Sequence, residues 1–204
     1  MRDESHGQPA RVPYVFPPFG TDAVADAIRA RRANDTLLDL DGVLLNSVPL
    51  AAAWNEVGRV IRYKNTIPGD MRELLILRSA VLNRAAYQWI QHEPVGRAEG
   101  LTTAQLLAIR FAPPFTERIN GAASATSDFN SALSPELAAA LEFADWSTSA
   151  VRVPTNVYDN LRQFLNDKQM VEATATLGVY SMVSRVTVGL NVDGKMDVVV
   201  PVPQ

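Results

Sequence analysis

The sequence predicts an all-α fold, on three observations. Apolar residues recur at three- and four-residue steps in one segment after another, helix start and stop residues bracket those segments, and nothing outside the C-terminal end reads as a strand. At 204 residues, 47% hydrophobic and 20% charged, the chain has ordinary globular composition, and one compact domain is the default.

The elements follow in order. Pro9, Pro13, Pro17 and Pro18 break any helix or ladder, so residues 1–20 are expected as an extended arm suited to wrapping a neighbouring molecule. Thr21 is placed to cap a short helix through Arg31, with Val24, Ala27 and Ile28 on one face. A loop is expected over 35–46. Ser47, Val48 and Pro49 then open a helix whose apolar stripe is Leu50, Trp54, Val57 and Ile61. Asp70 and Glu73 have the spacing of an N-cap and its returning acid, which starts a helix from about Met71 to Asn83. The next helix runs from Ala85 to Glu99 and stops at Gly100, with a bend or early break expected at Pro94. The short connection makes these two an antiparallel hairpin at the centre of the fold.

Thr102 or Thr103 caps a helix to about Phe111, ended by Pro113 and Pro114. Residues 115–132, rich in Ser, Ala, Asn and Gly, read as a long loop. Ser134, Pro135 and Glu136 begin a helix through about Trp146, and another runs from Pro154 to Leu165. Asn166 or Asp167 caps the longest helix, to about Leu190, with Met170, Leu177, Tyr180 and Val183 inward. The helical domain is thus 21–192, and residues 193–204, with two prolines among valines, form an extended tail suited to a subunit boundary. Segments 49–99 and 135–190 share a helix, loop, helix layout, a hint of internal duplication.

Composition narrows the chemistry. A net charge of -3 gives no electrostatic reason to bind nucleic acid or anionic lipid. With no apolar run of the roughly 7–15 residues that a signal peptide needs, or the 18 of a membrane span, a soluble cytoplasmic protein is expected. There is no cysteine, so there is no thiolate nucleophile, redox dithiol or Cys-ligated metal. The two histidines are His6, in the arm, and His92, too few for a histidine-rich metal site, and no metal is expected. Lysine occurs only at Lys64, Lys168 and Lys195, which leaves few candidates for Schiff-base chemistry.

Polar groups stand inside the apolar pattern over residues 72–101. In a hairpin that turns near residue 84, His92 faces roughly Ile76, and Glu73 is one helical turn away. An imidazole and a carboxylate on facing helices can share a proton or fix each other's orientation, as general acid–base catalysis requires. Tyr87 and Trp89 flank the same place. Bland roles stand beside each: Glu73 as a cap acid, His92 as a satisfied core histidine, Tyr87 and Trp89 as packing, Arg78 and Arg84 in ion pairs or subunit contacts.

The stretch 71–101, with its Arg-Glu-Leu start, Tyr87-x-Trp89-x-x-His92 centre and Arg-Ala-Glu-Gly-Leu close, resembles the carboxymuconolactone decarboxylase family, which shares the AhpD-like helical fold. The Trp54-Asn55 helix, Leu44-Leu45-Asn46 and the segment Asp167 to Arg185 extend the likeness over most of 21–192. Peroxidatic members carry a glutamate and, twelve residues on, CxxCxxxH; those positions here are Glu73, Ala85, Gln88 and His92. Both cysteines are replaced, which excludes a thiol peroxidase.

The resemblance implies a homo-oligomeric, cofactor-independent enzyme that acts by acid–base chemistry on a small organic acid or lactone. Decarboxylation, or a related isomerisation, dehydration or cyclisation, would use His92 with Glu73 as its orienter. Tyr87, Gln88, Trp89 and Arg78 are the candidate substrate-binding residues, and Arg78 or Arg59 would hold a substrate carboxylate. Gln88 departs from the acidic residue that many cysteine-free relatives carry there. The alternative is a catalytically idle helical oligomer that binds a small aromatic or acidic ligand.

Overall fold

Helix-forming segments account for nearly all the regular structure in the computed structural model, which describes residues 8–32, 35–115 and 131–204. His6 and nearly all of the expected 115–132 loop lie outside the described residues. Among those residues there are nine α-helices and no strand, an all-α fold. None of the helices is long and apolar enough to cross a membrane. The chain divides into two compact units, one from the described residues up to Asn65 with Arg185–Val198, the other from Thr66–Ser184 with Val199–Gln204.

The first unit holds α1 (Ala23–Arg31), α2 (Asp39–Leu44), α3 (Val48–Tyr63) and a single 3-10 turn (Val192–Gly194). Asp22, not Thr21, caps α1, because its carboxylate accepts from Val24 N and Ala25 N at 2.9 and 2.8 Å. The expected 35–46 loop contains α2, too short to show a helical period. Asp41, fully buried, accepts from Leu38 N at 2.8 Å and from Arg32 Nη2 at 2.6 Å and so fixes its start. On α3 the inward residues are Ala51, Trp54, Asn55, Gly58 and Ile61, while Leu50 and Val57 of the expected stripe are exposed.

The described part of the N-terminal arm is extended, but it is bonded to its own unit. Val15 N donates to Gly42 O, Arg11 N to Leu190 O and Gln8 N to Asp193 Oδ1, at 2.7–2.9 Å. Phe16 lies where a side chain at Gly42 would stand, 2.5 Å from an ideal Cβ, so only glycine admits the ring.

The second unit is built around α4 (Gly69–Leu82), which packs against α5 (Ala86–Ala98), α6 (Thr103–Phe111) and α7 (Pro135–Ala150). It also holds α8 (Thr155–Arg162) and most of α9 (Asp167–Gly189). Met71 to Ala80 are buried without a break, so α4 is enclosed on every face. Pro68 occupies the N-cap position of α4 and no side chain caps it; Asp70 sits inside the first turn and Glu73 is released from the expected capping role.

Both ends of the hairpin close with Schellman turns. After α4, Ala85 N reaches Ala80 O and Arg84 N reaches Val81 O, with Arg84 at φ +53°. After α5, Leu101 N reaches Gly96 O and Gly100 N reaches Arg97 O, with Gly100 at φ +106°. The helix runs through Pro94 where a break was expected. Thr102 and Gln105 cap α6 reciprocally, and Asn166 and Gln169 do the same for α9. α8 ends at Arg162, before the expected Leu165, and α7 runs a turn past Trp146. The tail is extended, not a strand; in the second unit Val200 is buried and its carbonyl accepts from Arg110.

Candidate functional site

The enclosure of α4 decides where its polar residues go: Arg72, Glu73, Arg78 and Ser79 have no face turned to solvent and must be paired inside the second unit. Glu73, with 0% exposure, receives His92 of α5. The distance from His92 Nδ1 to Glu73 Oε2 is 2.8 Å, and His92 itself is 6% exposed. Gly96 lies at the contact between the two helices, where a Cβ would press on Leu101 Cδ1 at 3.1 Å and Leu77 Cδ1 at 3.2 Å.

The other carboxylate oxygen, Oε1, lies 3.3 Å from Arg72 Nε, and Arg72 Nη2 donates at 2.8 Å to Glu99, which is partly exposed. A chain of hydrogen bonds therefore runs Glu99, Arg72, Glu73, His92. The imidazole and the ring of Tyr180 of α9 meet in a T-shaped contact, ring centres 4.9 Å apart at 88°. With Nδ1 hydrogen-bonded to a buried carboxylate, the proton on that nitrogen is held and the tautomer is set. Nε2 has no hydrogen-bond partner among the described residues, and it is not among the unpartnered side-chain atoms sealed from solvent, which belong to Arg31, Arg32, Trp54, Trp146 and Thr148. The ring thus presents one anchored and one open nitrogen.

The remaining expected site residues divide. Tyr87 and Trp89 are buried on α5, at 4% and 1% exposure. Gln88 is held on both sides of its amide: Nε2 donates to Ile76 O at 3.0 Å and Oε1 accepts from Ser184 at 2.9 Å, which in turn accepts from Asn83. Arg78 does not stand ready for a substrate carboxylate. Its Nε and Nη2 grip Asp145 of α7 at 2.5 and 3.1 Å, and its Nη1 donates to Ile109 O of α6 at 2.8 Å. Both members of that pair are buried, and Asp145 accepts from Phe115 N as well. Arg59, the other expected anchor, is half-buried on α3 and pairs with Glu56; Arg84 is exposed. Among the described residues no group of three His, Asp or Glu side chains stands together as a metal site.

Arg72, Asp145 and Ser184 are not among the site residues the sequence predicts, and Tyr180, expected inward on the longest helix, is not predicted beside His92. Arg72 has a signal, an arginine beside Glu73 in a helix too apolar to leave it a wet face; nothing in the spacing brings Asp145, Tyr180 or Ser184, from helices far along the chain, to this hairpin.

Residues 49–128 match the profile of the carboxymuconolactone decarboxylase family. No curated protein sequence matches the chain. Among solved structures, the chain is similar to a protein of unknown function from Agrobacterium tumefaciens, provisionally described as antioxidant defence protein AhpD, with TM-score 0.55, 17% identity and coverage of 68% of this chain and 86% of that one. It is also similar to a cysteine-to-alanine variant of the debrominase Bmp8 in complex with 2,3,4-tribromopyrrole, with TM-score 0.66, 14% identity and coverage of 91% and 92%. At these identities the likeness is one of fold.

Proposed function

We propose that the chain is a cysteine-free member of the carboxymuconolactone decarboxylase family, whose profile matches residues 49–128, and that it is a cofactor-independent acid–base enzyme acting on a small organic acid or lactone. One observation carries the reading: His92 is anchored at Nδ1 by a buried carboxylate at 2.8 Å while Nε2 has no partner among the described residues. Glu73 fixes the ring, and Nε2 is the atom that gives or takes the proton. In decarboxylation the C–C bond breaks, its electron pair stays with the substrate carbon, carbon dioxide leaves, and protonated Nε2 delivers the proton to that carbon. In an isomerisation neutral Nε2 would remove a proton from one carbon and return it to another. A thiol-dependent reaction has no nucleophile in this sequence.

The test is turnover of wild type, His92→Ala and Glu73→Gln against a panel of lactones and small organic acids, beside their melting temperatures. His92→Ala is expected to lower kcat about 10²- to 10⁴-fold with the helical circular dichroism spectrum retained. Glu73→Gln still accepts the Nδ1 proton but lacks the charge, so kcat falls less and KM is little changed. Equal turnover of wild type and His92→Ala on a confirmed substrate would sink the proposal. Binding of panel members by wild type with no turnover of any would favour an idle ligand-binding protein instead.

A further inference from the structure

The first unit contains a cavity of about 590 Å³ between α1 and α3. Its charged lining is unbalanced: Arg31, Arg59 and Lys64 face a single carboxylate, Glu56, which Arg59 already holds at 2.6 Å. Among the described residues no carboxylate lies within ion-pair distance of Arg31 or Lys64.

Arg31 is the residue whose state asks for a ligand. Its guanidinium lies over Gly58, 3.7 Å from where a Cβ would stand, and its Nε donates to Asn55 Oδ1 at 2.6 Å. Nη2 is covered and without a hydrogen-bond partner. An arginine half removed from water is ordinarily matched to an acid, because an uncompensated buried charge is costly. Burial, and then the neighbouring cations Arg32 and Arg62, pull its pKa below the usual arginine value against the opposing effect of Asp41 and Tyr63. The Asn55 amide nitrogen has no partner among the described residues, which leaves a neutral donor beside the cations. The rest of the lining includes Ala27, Ala30 and the ring of Tyr63.

We propose that this cavity binds a small organic carboxylate, its charged group set against Arg31 and Lys64 with Asn55 donating and its apolar body against Ala27, Ala30 and Tyr63. The site shares no residue with the Glu73–His92 pair and does not depend on the proposed reaction. A bare oxyanion would use the charge but leave the apolar wall unused, so an aromatic or aliphatic carboxylate is favoured over inorganic phosphate.

Calorimetric titration of the full chain with benzoate, and separately with inorganic phosphate at equal ionic strength, tests it. Benzoate is expected to saturate one site, Arg31→Met to weaken it about tenfold or more, as loss of a charge-assisted contact does, and Glu56→Gln to tighten it by removing the repelling carboxylate. Absence of saturable benzoate binding, a dissociation constant unmoved by Arg31→Met, or phosphate bound as tightly as benzoate would overturn the proposal. Should Arg31→Met lose its helical spectrum, Lys64→Gln decides, since Lys64 is exposed and has no ion-pair partner among the described residues: weakened binding supports the site and unchanged binding overturns it.

Discussion

Arg78 and Asp145 show what a single charged residue costs or contributes in this interior. Each is about 1% exposed, and the pair is bidentate. Asp145→Ala strands a buried guanidinium and is expected to destabilise the chain by about 3–5 kcal/mol, measured by urea denaturation. Arg78→Met combined with Asp145→Leu removes both charges and is expected to recover most of that loss. The sequence alone could not assign this partner, 67 residues away, because spacing says nothing about which helix lies against which. The Glu73–His92 pair was legible for the opposite reason: a short hairpin connection turns sequence distance into spatial register. Whether Glu73 was cap or partner was not legible, since Asp-x-x-Glu before an apolar run has the same appearance in both cases, and burial of the whole α4 surface resolved it.

At the scale of elements, the two Schellman turns make a matched pair of tests. Arg84 adopts φ +53° and Gly100 φ +106°, so Arg84→Gly is expected to raise stability by up to about 1 kcal/mol and Gly100→Ala to lower it by about 1–2 kcal/mol. Melting temperatures of the two variants check both signs. A second tie joins the start of α9 to Thr66, through Glu172. Burial raises the pKa of this carboxyl, but Lys168 and the Thr66 N and Oγ1 hydrogen bonds outweigh burial and hold it below the usual glutamate value. A pKa depressed by folding adds stability above the unfolded value, near 4.3, and that contribution is lost as pH falls through the folded value. Glu172→Gln is therefore expected to cost about 1 kcal/mol at neutral pH, with the gap from wild type closing in acid; denaturation at the two pH values measures it. Element boundaries were legible where caps were strong, as at Thr102 and Asn166, and at Ser134, which holds the N-cap position ahead of Pro135 without a side-chain bond. They failed at α2, whose length hides its period, and on α3, where glycine and asparagine at Gly58 and Asn55 take inward positions that an apolar pattern assigns to Leu50 and Val57.

For the whole molecule, the all-α class was legible because cap residues and helical spacing agreed along most of the chain, whereas the AhpD-like fold was legible only through the family resemblance carried by residues 71–101 and the segments around it. The fate of the arm was not: prolines announce extended backbone but not whom it binds, and its described residues bind their own unit. We propose a homo-oligomer on the family resemblance, without the arm as support; light scattering at micromolar concentration is expected to give a mass above the 22.3 kDa of one chain. A further consequence lies in the uninterrupted burial of Met71 to Ala80. Amide protons along such a helix exchange with solvent only when the second unit opens as a whole. Glu73 therefore rides on one of the last segments to let go, and no partial melting can misplace it while the rest stands. Heat should then silence the site and erase the near-ultraviolet signal of Trp89 at one temperature, not in two stages.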